Sequence, residues 1–175
     1  MVKIGIISDT HITGNENPRK NNIILEQVKQ AFHDIDEMIH VGDIIHENFL
    51  NELKKIAPTK AVRGNLDEIG DLKRFITFNI GKYNIGVIHK LPDDVEDFCQ
   101  KYQLQILIYG HTHIPVIKGT SFNTLLLNPG SPTKPKAPPK RPLFKAPIAR
   151  PTVMTLEIDN DDILKTFIIN LNIEK

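Results

Sequence analysis

Apolar and polar residues alternate along this chain in short β-like runs and amphipathic stretches, and polar clusters stand where the β-like runs stop. Val2-Lys3-Ile4-Gly5-Ile6-Ile7 is a β-branched run ending at Ser8-Asp9, the pattern of a buried strand that delivers its last residues to an edge loop. From Pro18, a residue suited to a first helical turn, the apolar positions Ile24, Val28, Ala31 and Phe32 follow helix spacing. Met38 to Val41 predicts a second strand, ending at Gly42-Asp43. A helix through Phe49, Leu50, Leu53 and Ile56 is stopped by Pro58, and Lys60 to Arg63 predicts a third strand leading into Gly64-Asn65. Such alternation of strand and helix predicts a parallel arrangement with ligands at the carboxyl ends of strands.

After Gly70 the pattern changes. Phe75 to Ile80 and Tyr83 to Ile88 read as a hairpin around Gly81-Lys82, with Gly81 suited to positive φ, and the second strand closes at His89. A helix from about Asp93 to Tyr102 precedes a strand from Gln105 to Tyr109, which ends at Gly110-His111. Thereafter the chain is β: Ile114 to Lys118, Asn123 to Leu127, Thr152 to Ile158 and Ile163 to Asn170. Mixed strands flanked by helices and followed by antiparallel strands predict an α/β fold of two stacked sheets covered by helices. No internal repeat interrupts this reading.

At 175 residues the chain is long enough for one domain, residues 1–175, with a substantial core and no need of disulfides. Its one cysteine, Cys99, lies in a helical stretch with Val95, Phe98 and Tyr102 and reads as an inert, half-buried thiol. Met1 to Ile7 is too short for a signal h-region, and no later window is apolar enough to span a membrane, so a cytoplasmic protein is expected. Lys and Arg total 22 against 21 acidic residues, so net charge selects no class of partner. Their distribution is more informative, because between Asp97 and Glu157 there are eight basic residues and no acidic one.

The polar clusters carry the chemistry. Asp9-Thr10-His11 places a carboxylate and an imidazole two residues apart, and in an extended segment both side chains would point the same way onto one ion. Asp43 offers two oxygens and could bridge two cations about 3.5–4 Å apart, which an amide or imidazole does poorly. Asn65 adds a neutral oxygen donor, His89 an imidazole, and His111-Thr112-His113 repeats the two-residue spacing across a turn, where the rings could serve different ions. D-x-H, G-D and G-N alone are ordinary turn or cap features, and Gly110-His111-Thr112-His113 is more pointed; their joint position at strand ends is what points to metal. The other histidines read structurally: His33 ends a helix, His40 alternates within a strand, and His46 starts a helix with at most a minor role beside Asp43.

The ordered set D-x-H, G-D, G-N-x-D, H and G-H-x-H resembles the calcineurin-like metallophosphoesterase superfamily. Val62-Arg63-Gly64-Asn65-Leu66-Asp67 and Asn128-Pro129-Gly130-Ser131 resemble its small YfcE-like phosphodiesterase branch. The resemblance implies a four-layer α-β-β-α sandwich. It also implies two divalent ions, one held by Asp9, His11, Asp43 and His113 and the other by Asp43, Asn65, His89 and His111. Mn²⁺ leads the candidates, with Ni²⁺, Co²⁺, Zn²⁺, Fe²⁺ and Mg²⁺ behind it. The implied reaction is in-line hydrolysis of a phosphodiester by a hydroxide bridging the ions, with Asn65 touching the phosphate and Asp67 orienting a ligand. A phosphomonoesterase or pyrophosphatase on the same centre is the alternative, and a protein-binding scaffold of the same fold is a more distant one.

Two positions depart from the family pattern. Many members carry a histidine where this chain has Leu66, which removes the usual general acid and predicts a steep dependence on leaving group. His89 is followed by Lys90-Leu91, where relatives commonly have glycine. Pro132 to Pro151 holds seven prolines interleaved with Lys134, Lys136, Lys140, Arg141, Lys145 and Arg150, a composition that predicts a long extended surface loop. Beginning beside the expected centre, its Lys134 and Lys136 form a candidate basic rim for an anionic substrate, with a nucleotide or nucleic acid among the partners considered. Leu143 and Phe144 are candidates for a homodimer contact.

Overall fold

The period of two within the strands decides how the layers stack. In β1 (Val2–Ile7), Ile4 and Ile6 turn to one side while Ile7 turns to the other. The computed structural model of the chain describes residues 1–13 and 18–173, and the backbone alone at Pro18 and Lys20. Beside β1 lie β2 (Glu37–His40) and then β3 (Thr59–Ala61), both parallel to it, and on its other side β9 (Thr152–Ile158), antiparallel to β1, followed by β10 (Leu164–Asn170), antiparallel to β9. The second sheet runs β4 (Phe75–Ile80), β5 (Tyr83–Ile88), β6 (Ile106–Tyr109), β8 (Leu125–Pro129), β7 (Pro115–Gly119), with β5, β6 and β8 parallel.

Between the sheets lies a core of Ile4, Ile6, Ile39, Val41, Ile85, Val87, Ile106, Ile108, Met154 and Leu156, each at 0% exposure, so the two inner faces are dry. The outer face of the first sheet packs Ile7, Met38 and Val153 against α1 (Pro18–Ala31) and α2 (Glu47–Lys54), through Ile24, Val28, Phe32, Phe49 and Leu53. On the outer face of the second sheet, α3 (Val95–Lys101) packs Cys99 and Phe98 onto Leu107, Tyr109 and Leu126. The layers are therefore α-β-β-α, as the family resemblance implies.

Boundaries moved by a few residues. β3 ends at Ala61, so Val62 and Arg63 lie in the loop beyond it, and β8 starts two residues later than the apolar run suggests. Gly81 has φ +54° in the hairpin turn, as expected. Cys99 is fully rather than half buried, because α3 turns it inward under Leu104 and Thr124. Residues 132–151 contain no helix or strand and run along the surface, with Leu143, Phe144 and Ile148 exposed. No helix among the described residues is long and apolar enough to cross a membrane.

Candidate metal centre

The parallel strands β1, β2, β3, β5 and β6 each release the chain at the same rim, and each release point carries one of the polar motifs. These loops are pressed together. A Cβ on Gly64 would stand 2.1 Å from the Asp43 nitrogen, and one on Gly110 would stand 2.1 Å from the Ser8 hydroxyl, so only glycine lets the strands converge there. Asp9, His11, Asp43, His111 and His113 all have φ between 48° and 66°. Left-handed backbone at a non-glycine residue costs of order 1 kcal/mol or more, and Asp and His are among the types that tolerate it best. The expectation that Asp9 and His11 share one extended segment is therefore overturned. Left-handed turns, rather than a pleat, aim their side chains inward.

Asp9, His11 and His113 form one triad of metal-competent groups, and Asp9, Asp43 and His89 form a second, with the donor atoms of each within 4.8 Å of one another. All five residues are buried. In the first triad His113 Nε2 lies 3.3 Å from Asp9 Oδ1 and 3.2 Å from His11 Nε2. In the second His89 Nε2 is 3.5 Å from Asp43 Oδ1. The other oxygen of Asp43 lies 3.8 Å from His11 Nε2, so Asp43 reaches toward both clusters, while Asp9 belongs to both triads. His111 stands beside His89, ring centroids 5.3 Å apart, and His113 beside His11, at 5.0 Å. Asn65 is exposed and lines the same cavity as His89.

The hydrogen bonds around the centre leave its inner atoms free for a cation. His89 Nδ1 donates to the Val41 carbonyl at 2.8 Å and His113 Nδ1 to the Lys134 carbonyl at 2.7 Å, which turns the Nε2 lone pair of each ring inward. Asp9 Oδ2 accepts from the Ser8 hydroxyl at 2.6 Å and the His111 N–H at 2.9 Å. Asp9 Oδ1 and His89 Nε2 are buried with no hydrogen-bond partner among the described residues. Buried polar atoms left in that state are rare, and a divalent ion satisfies them.

The electrostatics agree with this arrangement. Burial pushes the Asp43 carboxyl up, but the His89 imidazole, the Leu66 N–H and the charge on His11 together hold it well below the usual carboxylate range. Burial likewise opposes a proton on His89, yet Asp43, the Val41 carbonyl and Asp9 raise its affinity above the ordinary value. A field that favours a proton at that nitrogen favours any cation there. His11 is lowered, first by burial and then by the Lys134 charge, and His111 by burial and then by His89.

Several supporting residues were missed in the sequence. His40 was assigned only to a strand; it does end β2, but its Nε2 lies 3.1 Å from the Thr10 hydroxyl and its Nδ1 accepts from the Gly42 N–H at 3.2 Å. It thereby ties the Asp9–His11 loop to the Asp43 loop. Complete burial holds this imidazole neutral, far below its ordinary range. The Ser131 hydroxyl donates to the Asp9 carbonyl at 2.7 Å, and the Asn128 amide donates to the Gly110 carbonyl at 2.9 Å. A polar residue at the buried end of an apolar strand was the available signal for both His40 and Asn128.

Among the described residues, Asp67 makes its hydrogen bonds to backbone rather than to a candidate ligand side chain. Its two oxygens accept from the backbone N–H groups of Asp43, Ile44, Ile45 and Gly64 at 2.7–2.9 Å, so it orients Asp43 by clamping the main chain. Leu66 presents its N–H to Asp43 Oδ1 at 3.0 Å and leaves its side chain 54% exposed. His46 caps α2 through the Asn48 N–H, and His33 follows α1 in its closing turn. Lys134 and Lys136 are exposed, and their backbone rather than their side chains engages His113: the Lys134 carbonyl accepts from its ring and the Lys136 N–H donates to its carbonyl.

A sequence model of the calcineurin-like phosphoesterase superfamily domain matches residues 2–161. The chain belongs to that superfamily. A probable metallophosphoesterase of Methanothermobacter thermautotrophicus is 36% identical over 166 residues, covering 90% of this chain and 87% of the relative. Two solved structures share the fold. A predicted phosphoesterase from Streptococcus pneumoniae superposes with a TM-score of 0.72 at 22% identity, over 97% of this chain and 89% of its own. A single mutant of Vps29 from Entamoeba histolytica gives 0.70 at 24% identity, over 98% and 100%. As a probable metallophosphoesterase, the chain has a family reason for its buried Asp/His triads: a centre for metal-dependent phosphoester hydrolysis.

Proposed function

We propose that this metallophosphoesterase is a phosphodiesterase whose centre takes two divalent ions, Mn²⁺ foremost, with Asp9, His11, Asp43 and His113 around one and Asp43, Asn65, His89 and His111 around the other. The observation that carries the reading is the pair of inward-facing, unpartnered atoms, Asp9 Oδ1 and His89 Nε2, each within a triad of donors. When bound, the ions supply an activated water and neutralise the phosphoryl oxygens. The side chains do the rest. Asn65, exposed at the cavity wall, donates its amide to a phosphate oxygen, and Asp67 keeps Asp43 in register by holding the Asp43–Ile45 N–H groups. Lys134 adds a positive charge beside His11.

No side chain at position 66 can protonate a departing oxygen, since Leu66 carries no proton to give. General-acid assistance is typically about 10²–10⁴-fold, so the rate falls steeply as the leaving-group pKa rises. The test is a metal-depleted protein reloaded ion by ion and assayed on matched nitrophenyl and alkyl mono- and diesters. Expected are metal-dependent turnover, preference for diesters and a steep leaving-group slope. Activity that persists without metal refutes the dinuclear reading, and a preference for monoesters makes the protein a phosphomonoesterase.

A further inference from the structure

A cavity of about 530 Å³ opens between the loop after β3 and the end of β5, lined by Arg63, Gly64, Asn65, Asp67, Arg74, Ile88, His89 and Lys90. Because His89 and Asn65 form part of its wall, whatever occupies it lies against the metal centre. Its volume falls within the range typical of small-molecule sites, about 300–1,000 Å³. Its charge is one-sided. Arg63, Arg74 and Lys90 face a single acid, Asp67, whose oxygens are already taken by four backbone N–H groups. None of the three cations forms an ion pair among the described residues. Arg63 donates from Nη2 to the Ile69 carbonyl at 2.9 Å, which fixes its guanidinium at the cavity wall.

Three cations on one cavity wall, with no carboxylate paired to them, set up a positive field that favours an anion there. The phosphate being cleaved does not supply that anion, because on the reading above its charge is met by the two ions. Three further positive charges call for further negative charge on the same molecule. We infer that Arg63, Arg74 and Lys90 form an anion subsite for a second, non-scissile phosphate, and that the substrates are phosphodiesters carrying an additional phosphoryl group, such as phosphorylated nucleotides. The inference rests on the hydrolase reading for its direction and on this chain's own Lys90 for its strength.

The test compares thymidine 5′-(4-nitrophenyl phosphate) with its 3′-phosphorylated counterpart, which share a scissile bond and a leaving group and differ by one phosphate. With Mn²⁺-loaded protein at low salt, kcat/KM should favour the 3′-phosphorylated ester by about tenfold, an advantage that shrinks as salt is added. The double variant Arg74→Gln, Lys90→Gln should bring the ratio near one, and Arg74→Lys, Lys90→Arg should restore it. Calorimetry on the same loaded proteins, comparing thymidine 3′,5′-bisphosphate with the 5′-monophosphate, reads the subsite without turnover. Equal treatment of the two esters by the wild type, or a preference that survives in the Gln variant, overturns the subsite. Tighter bisphosphate binding that depends on Arg74 and Lys90, with neither ester hydrolysed, would keep the subsite and sink the phosphodiesterase reading.

Discussion

The two halves of the centre draw on similar residue types and meet solvent in opposite ways. The Asp and His side chains of both triads are buried, and the halves differ in the space beside them: the cavity adjoining His11, bounded by Thr10, Ile12, Ile24, Thr133 and Lys134, is only about 50 Å³. Around His89 the wall falls away into the larger basic cavity, with Asn65 exposed and His111 partly so. The closed half is braced by the start of the proline-rich segment, whose Lys134 carbonyl and Lys136 N–H both bind His113. The open half is braced from behind, by Asp67 and the Val41 carbonyl. On the subsite proposed above, the open side with Arg63, Arg74 and Lys90 receives the anionic substrate, across the centre from the Lys134 rim read from the sequence.

The largest effect should come from Asp9, the carboxylate common to the two donor triads. Asp9→Asn should lower kcat/KM by about 10³-fold or more, because a fixed charge at the reacting centre is lost. His113→Ala and His89→Ala should separate the halves, each leaving one bound metal ion per chain by elemental analysis. Retention of two ions in either variant would break the division. Asp67→Asn comes next. Four N–H groups now share a carboxylate, and an amide offers one oxygen in its place, so unfolding in denaturant should show a loss of about 2–4 kcal/mol. A loss below 1 kcal/mol would mean the clamp is slack.

His40 links the two ligand loops and gives the comparison a pH axis. Its pKa is depressed in the folded protein, so the unfolded chain binds the proton more readily, and stability falls as pH drops below about 6.5, by up to roughly 1.4 kcal/mol per pH unit. His40→Gln should flatten that part of the profile in chemical denaturation of metal-free protein; an unchanged slope would assign the titration elsewhere. Smallest is Lys134→Gln, expected to raise KM only a few-fold at low salt and not at high salt, since an exposed charge is well screened. A larger effect than that of the Arg74, Lys90 double variant would return the entry to the closed side.

Much of this was legible in the chain, and the reason is locality. The runs Val2–Ile7 and Ile106–Tyr109 became strands because β-branched residues and a period of two are properties of neighbours. The candidate donor types were legible because divalent ions call for particular atoms, whatever the backbone does. What was not legible is instructive. Asp9-Thr10-His11 suggested an extended pair, but left-handed φ values, stabilised only by the loops pressing around them, set the actual direction of both side chains. His40 looked like an ordinary strand residue because its distant partner, Thr10, comes within reach only when β1 and β2 lie side by side.

Residue type and short-range periodicity alone determined the strands and helices, the α/β class, the rim at which chemistry collects and the set of donor groups found there. Tertiary structure decided which donors meet, since His11 and His113 lie 102 positions apart and come within 3.2 Å. It also decided which oxygen of Asp9 stays free, that Asp67 grips backbone rather than a ligand, and that the basic cavity adjoins His89. These depend on distances between loops from different strands, and no local pattern encodes such distances until the two sheets have packed.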